Sequence, residues 1–262
     1  MKIRLFLLMF LFVGLFTCEL FAESKIKTRI EASLIVSDIK GDIKNLSSTS
    51  DFVNDLGYSS FNASYFSIEV ENQNDYVPNI YFAFFSTQEN ADSTLDSAVE
   101  IAEVTYSSEI SSTIDYNVLN LLFYENMLIK GGIARINGYS FYPGDLEFDI
   151  GIDIKYVNWE YHVIDKSGLS NDNSWIKVDE FIPLPYLGFK YYRYKLFVYG
   201  NVSALSFQDA KSISAEAGID YFFVNNFSLS IGYVYENFDI KEDDDTVYFQ
   251  SDGVKLGFKY TF

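Results

Sequence analysis

The chain has 262 residues, with 37 acidic against 19 basic side chains and a net charge of −18. That acidity excludes nucleic acid as a partner, because the phosphates would be repelled. Cys18 is the only cysteine; once a leader containing it is removed, disulfides and thiolate metal sites are excluded, and no cofactor is expected.

Met1 to Arg4 is basic, Leu5 to Phe16 is an uncharged apolar run, and Ala22-Glu23-Ser24 returns to polar sequence. This is the order of a secretory signal peptide, expected to span 1–22 and leave a mature domain 23–262. The apolar run is short for a membrane-spanning helix, which needs about 20 residues. A rival cut before Cys18, giving a lipoprotein, has poorly fitting residues at Phe16 and Thr17.

The mature chain is a succession of segments whose apolar residues fall at every second position, as on one face of a β-strand. Thr28 to Ser37 comes first, followed by a polar loop over Ile39 to Gly57 with a helical turn near Asp51 to Asn54. Tyr58 to Glu71 and Asn79 to Thr87 flank a turn at Asn72 to Pro78. Gln88 to Ser111 reads as a long outer loop whose alternating piece, Val99 to Tyr106, forms its own hairpin or two further strands. Ser112 to Glu125 is the fourth strand, and Asn126 to Pro143 an insertion.

The fifth strand sets Leu146, Phe148, Ile150, Ile152, Ile154 and Tyr156 against Glu147, Asp149, Gly151, Asp153 and Lys155. The sixth, about Trp175 to Lys190, contains Pro183 and Pro185, which sit poorly in a central ladder. Tyr194 to Phe207 is the seventh. The eighth and ninth, around Ile213 to Phe223 and Phe227 to Tyr235, are joined by a tight Asn225-Asn226 turn. After an acidic loop at Lys241 to Thr246, the tenth strand ends Val254, Leu256, Phe258, Tyr260 and Phe262 on one face.

Two all-β folds show such alternation. A soluble β-sandwich, as in a periplasmic β-sheet protein that binds a partner, uses strands centred on about 5–6 residues. An antiparallel transmembrane β-barrel uses strands of about 9–11 residues or more, short periplasmic turns, long outer loops and an even strand number. These segments are long and their turns and loops alternate in length, so the barrel is expected, with ten strands; eight or twelve remain open. The aromatic content of 18% then forms girdles at the two membrane interfaces. The terminal pattern Val254, Leu256, Phe258, Tyr260 and Phe262 matches the signal read by the barrel-assembly machinery. The expected address is the bacterial outer membrane, with lipid and lipopolysaccharide as surroundings and a monomer as the working state.

Several stretches carry a resemblance: Asp115-Tyr116 with Phe123-Tyr124-Glu125, Asp149 to Lys155, Ile182-Pro-Leu-Pro-Tyr186, and Ile231-Gly-Tyr233. The chain resembles a family of small, mostly uncharacterised Gram-negative outer-membrane β-barrels, loosely OmpW-like and OmpA-like. Family members tend to turn tightly after the Tyr-Glu pair, where this chain inserts Asn126 to Pro143. The resemblance implies fold and location and names no substrate.

If the apolar faces meet lipid, the lumen receives Arg29, Glu31, Glu69, Glu71, Glu147, Asp149, Asp153, Lys155, Glu216, Asp220, Lys255 and Lys259. Such charges form an ion-pair network plugging a narrow barrel, the larger expectation, or line a narrow porin-like path for passive transport of small solutes. Trp159, Tyr161, Tyr191, Tyr192, Tyr194, Tyr248 and Phe249 read as interface anchors; a lateral apolar path, as in OmpW-like transporters, would use some of them. Glu242 to Asp245 lacks the ordered spacing of a calcium loop, so no metal is assigned. His162, the sole histidine, near Glu160 and Asp165, is the imidazole a barrel enzyme would use, the lesser alternative; it has no accompanying nucleophile, and no enzymatic activity is expected.

Overall fold

The computed structural model describes residues 26–44, 49–72, 77–95, 98–101, 104–131, 134–136, 139–141, 144–166, 173–207, 210–242 and 245–262. The expected signal peptide, Cys18, and Asp243-Asp244 at the tip of the acidic loop lie outside the described residues.

Ten long strands form one antiparallel sheet: β1 (Ile26–Lys44), β2 (Ser60–Asn72), β3 (Asn79–Thr94), β4 (Glu109–Ile129), β5 (Asp145–Asp165), β6 (Asn173–Arg193), β7 (Leu196–Phe207), β8 (Ala210–Val224), β9 (Phe227–Glu242) and β10 (Asp245–Thr261). Each pairs with its neighbour in sequence, and β10 returns to β1 along a register from Arg29–Thr261 to Lys44–Thr246. The sheet therefore closes into a ten-stranded barrel, and the soluble sandwich is excluded. Phe262 donates its backbone N–H to the Thr28 carbonyl at 2.8 Å, which ties the carboxyl end into the rim where β1 begins. This is called the terminal rim below, and the opposite end the far rim.

The last strand meets the first very closely. A Cβ built on Gly257 would come within 1.8 Å of Ser33 Oγ and 2.6 Å of the Ala32 carbonyl. Only glycine lets the two backbones pair there.

Outside, the barrel carries an apolar belt. Leu34, Val36, Ile150, Ile152, Phe181, Leu187, Ile231, Leu256 and Phe258 all project from it, Leu256 with 53% of its surface exposed. Every described strand of the belt is laddered to a neighbour, as a backbone crossing lipid requires. The belt ends abruptly toward the far rim. Beyond Tyr156 on β5 and Leu119 on β4 the next outward residues are Asn158, Glu160 and His162, and Asn117, Asp115 and Thr113, with Ile164 an apolar exception near the end of β5. There the apolar residues turn inward: Val157, Trp159, Tyr161 and Val163 are wholly buried. One ladder therefore runs through two surroundings, with its polarity inverted where the lipid stops.

That inversion explains why several strands outrun their expected bounds. β1 continues through Ile39 to Lys44, β3 through Gln88 to Thr94, and β4 begins at Glu109. On β1 and β4 the apolar phase shifts to the other face and on β3 the apolar residues give out, so a membrane pattern looks broken while the hydrogen-bond ladder carries on. β4 also runs to Ile129, pairing with Leu146, so the expected insertion shrinks to a short hairpin of Ala134–Ile136 with Tyr139–Phe141. Val99–Ile101 and Val104–Tyr106 form the small hairpin expected there. Near the far rim, Asp51 accepts the Val53 and Asn54 N–H groups at 2.8 and 2.7 Å and holds a single turn.

The ladder is interrupted at two places toward the far rim, one of them between β2 and β3, which pair only from Val70–Ile80 to Ser64–Ser86. The other lies between β6 and β7, which pair from Arg193–Leu196 only to Tyr186–Ser203. The next residues of β6 toward the far rim include Pro185 and Pro183, which have no N–H to give.

Arginine substitutions test the two surroundings. Leu256→Arg in the belt is expected to cost about 2–4 kcal/mol, and Thr113→Arg on the outward face of the extension less than about 0.5 kcal/mol. Urea unfolding in lipid or micelles measures both, and equal costs would contradict the boundary.

Candidate functional site

The site is the barrel interior, which has two storeys. Toward the terminal rim the inward face of each strand supplies charge, and the register aligns opposite signs. Arg29 stands opposite Glu69, Glu31 opposite Lys259, and Glu147 opposite Lys190. Cross-strand pairs of this kind are the natural ion pairs of a sheet.

Two clusters result. In the first, Lys190 Nζ lies 2.9 Å from Glu69, 3.3 Å from Glu71, 3.1 Å from Glu147 and 3.2 Å from Asp149. Arg29 reaches Glu69 at 2.5 Å, Glu71 at 2.7 Å and the Tyr192 hydroxyl at 3.1 Å. The Tyr124 hydroxyl donates to Glu69 at 2.6 Å, and its ring lies 4.7 Å from the Lys190 ammonium. In the second, Lys255 pairs with Glu31 at 2.8 Å and with Glu216, and Lys259 with Asp220 at 3.0 Å. The ring of Tyr65 faces Lys255 at 4.4 Å and that of Tyr199 faces Lys259 at 4.1 Å. Slightly higher, Lys155 donates to both oxygens of Glu236 at 2.8 Å.

The structure thus places Arg29, Glu31, Glu69, Glu71, Glu147, Asp149, Asp153, Lys155, Glu216, Asp220, Lys255 and Lys259 inside, and divides all but Asp153 between these groups. Three partners were missed by sequence reasoning: Lys190, Glu236 and Tyr192. Lys190 sits in Phe189-Lys-Tyr-Tyr192, where no clean alternation marks a face. Tyr192 was expected as an interface anchor and instead faces Arg29.

The upper storey is apolar. Phe52, brought inward by the Asp51 turn, packs edge-on against Trp159 at 5.9 Å, Tyr161 at 6.2 Å and Phe249 at 6.3 Å. Phe249 continues to Phe238 at 5.0 Å and Tyr116 at 4.8 Å. Gly41, with φ of 141°, accepts the Phe52 N–H at 3.0 Å and leaves room for its ring. The 99–106 hairpin joins this core: Ser174 donates to the Ile101 carbonyl at 2.9 Å and shares a 2.6 Å hydrogen bond with the Tyr106 hydroxyl. Trp159, Tyr161 and Phe249 were expected as interface anchors, and this core overturns that: all three have no exposed surface. Above the belt the outer surroundings are water, so large apolar side chains gain more by turning into the barrel. Tyr194, at the β6–β7 turn with φ of 54° and 83% exposed, does stand at a rim.

His162 points outward in the extension, stacked on Trp175 at 4.1 Å and hydrogen-bonded to Asn173. No group of carboxylates, histidines or cysteines able to hold a metal occurs among the described residues.

No family model matches the chain, and no curated protein matches it. Among solved structures it is similar to the outer membrane protease OmpT from Escherichia coli, at 11% identity over 89% of this chain and 97% of that one, with a TM-score of 0.47. It is also similar to the translocator domain of the autotransporter NalP from Neisseria meningitidis, at 11% over 92% and 91% with a TM-score of 0.43. Ail, the attachment invasion locus protein of Yersinia pestis, matches at 13% over 90% and 99% with a TM-score of 0.33. These likenesses are of fold alone. The closed sheet and its apolar belt are those of a transmembrane β-barrel.

Lys190→Met leaves four interior carboxylates without their shared cation and is expected to destabilise the barrel by about 3–5 kcal/mol in urea unfolding. The loop residue Tyr58 gives a pH dependence: burial pushes its phenol well above the usual tyrosine range. The folded state then favours the neutral phenol, so its stabilisation is complete at neutral pH and declines above about pH 10. Tyr58→Phe is expected to lose less stability than the wild type over that alkaline range.

Proposed function

We propose that this protein is a closed outer-membrane barrel whose membrane-spanning half anchors a folded extension on the outside of the cell, a structural role in place of passive conduction. The observation that carries this reading is the double filling of the lumen. Buried ion pairs occupy the storey nearer the terminal rim, and an aromatic core occupies the storey above it. A hydrated ion would have to displace both, at the cost of leaving interior charges unpaired and apolar surface wet.

In this reading residues 1–22 direct export and are removed, and the terminal rim faces the periplasm. The outward row Val254, Leu256, Phe258, Tyr260 and Phe262 is the stretch recognised by the barrel-assembly machinery. The extension, with its polar outer surface, stands among lipopolysaccharide. Purified protein in planar bilayers is expected to give no discrete conductance steps. Regular steps of one size would favour the narrow porin instead.

A further inference from the structure

Between the two storeys lies a cavity of about 140 Å³, and we propose that it binds a small organic cation consisting of an ammonium group on an apolar, benzene-sized body. The proposal goes beyond the closed-barrel reading and rests on what lines this space. Six lining side chains are carboxylates (Glu31, Glu69, Asp149, Asp153, Glu216 and Glu236) and three are cations. The barrel's own cations are already engaged: Lys190 and Arg29 in the first cluster, Lys259 with Asp220 and Glu31, and Lys155 with both oxygens of Glu236.

Acceptors are left over. Asp153 is 5% exposed and Asp149 3%, yet Asp153 Oδ1 and Asp149 Oδ1 have no hydrogen-bond donor, while Asp149 Oδ2 has its ion-pair contact with Lys190. Asn120 Oδ1 is also without a donor. Buried acceptors are costly unless a donor reaches them, and an ammonium brings three. The wall opposite belongs to the base of the aromatic core, with Ile35, Phe85, Tyr116 and Val118. The cavity is thus acidic at one end and apolar at the other. Cavities of about 150 Å³ accept a benzene-sized molecule.

The geometry places the ammonium at Asp153 and Asn120 and the apolar body under Phe85 and Tyr116. Tyr186 and Ser203 line the same space and are the last pair of the β6–β7 ladder. An entrance there avoids both the ion pairs below and the core above.

Benzylammonium chloride is the probe, titrated calorimetrically at neutral pH and low salt into the wild-type barrel in micelles, with a micelle-only blank. Benzyl alcohol, its neutral counterpart, is titrated in parallel. Saturable one-site binding is expected for the cation, with the alcohol at least about tenfold weaker, equivalent to about 1.4 kcal/mol. Asp153→Asn, verified as folded by its heat-modifiable gel mobility, is expected to weaken the cation at least about tenfold. No saturable binding of benzylammonium, or equal affinity for the alcohol, overturns the proposal, and this comparison stands even where the variant fails to fold. Unchanged affinity in folded Asp153→Asn overturns the assigned site. Conductance is a separate readout, so a failure here leaves the closed-barrel reading to its own test.

Discussion

A backbone that crosses lipid has no water to turn to, so each N–H and C=O in the belt must find its partner within the sheet. The seam between β1 and β10 meets that demand, and the rest of the structure depends on it. Closing the ladder fixes which side chains look inward, and ten strands set an interior narrow enough for those side chains to touch across it. Arg29 on β1 meets Tyr192 on β6 because the sheet closes. Gly257 is part of the same constraint, since a side chain there would separate the strands it joins.

Closure says which residues face in, but the surroundings decide what those residues are. Along β5 the inward positions run Glu147, Asp149, Gly151, Asp153, Lys155, Val157, Trp159, Tyr161 and Val163. The first half is charged because the outward half of that length is apolar and faces lipid. The second half is apolar because the outward face has returned to water. The boundary is written into the sequence as an adjacent apolar pair, Tyr156-Val157 on β5 and Leu119 beside Val118 on β4, where alternation changes phase. Read as one continuous period, those pairs look like strand ends. That is why Trp159 and Tyr161 read as interface anchors in the sequence and why β1 looks shorter there than it is.

Fold and lumen were therefore legible to different depths. A period of two survives translation into three dimensions without knowledge of neighbours, so strand number, closure and the inward charges on β1, β5, β8 and β10 could be read directly. Which charges meet could not, because register and tilt are set by the whole barrel. Lys190 is the clearest case: its five-residue surroundings are all aromatic or small, and its importance appears only when Glu69, Glu71, Glu147 and Asp149 arrive from β2 and β5.

The interruption between β6 and β7 has the opposite character, being local in cause and wide in effect. Two prolines within three residues end the pairing at Tyr186, so the outer length of β6, from Asn173 to Pro185, is held by β5 on one side alone. A free edge invites another strand. This one carries features that discourage such pairing: Pro183 and Pro185 lack donors, and Lys177 puts a charge on the outward face beside Glu160 at 3.0 Å. Its inward face is secured instead by Ser174, bound to the 99–106 hairpin. This edge of the extension is therefore held by the core on the side where its ladder is missing, and the wall there is thin in hydrogen bonds at the height where the two storeys of the interior meet.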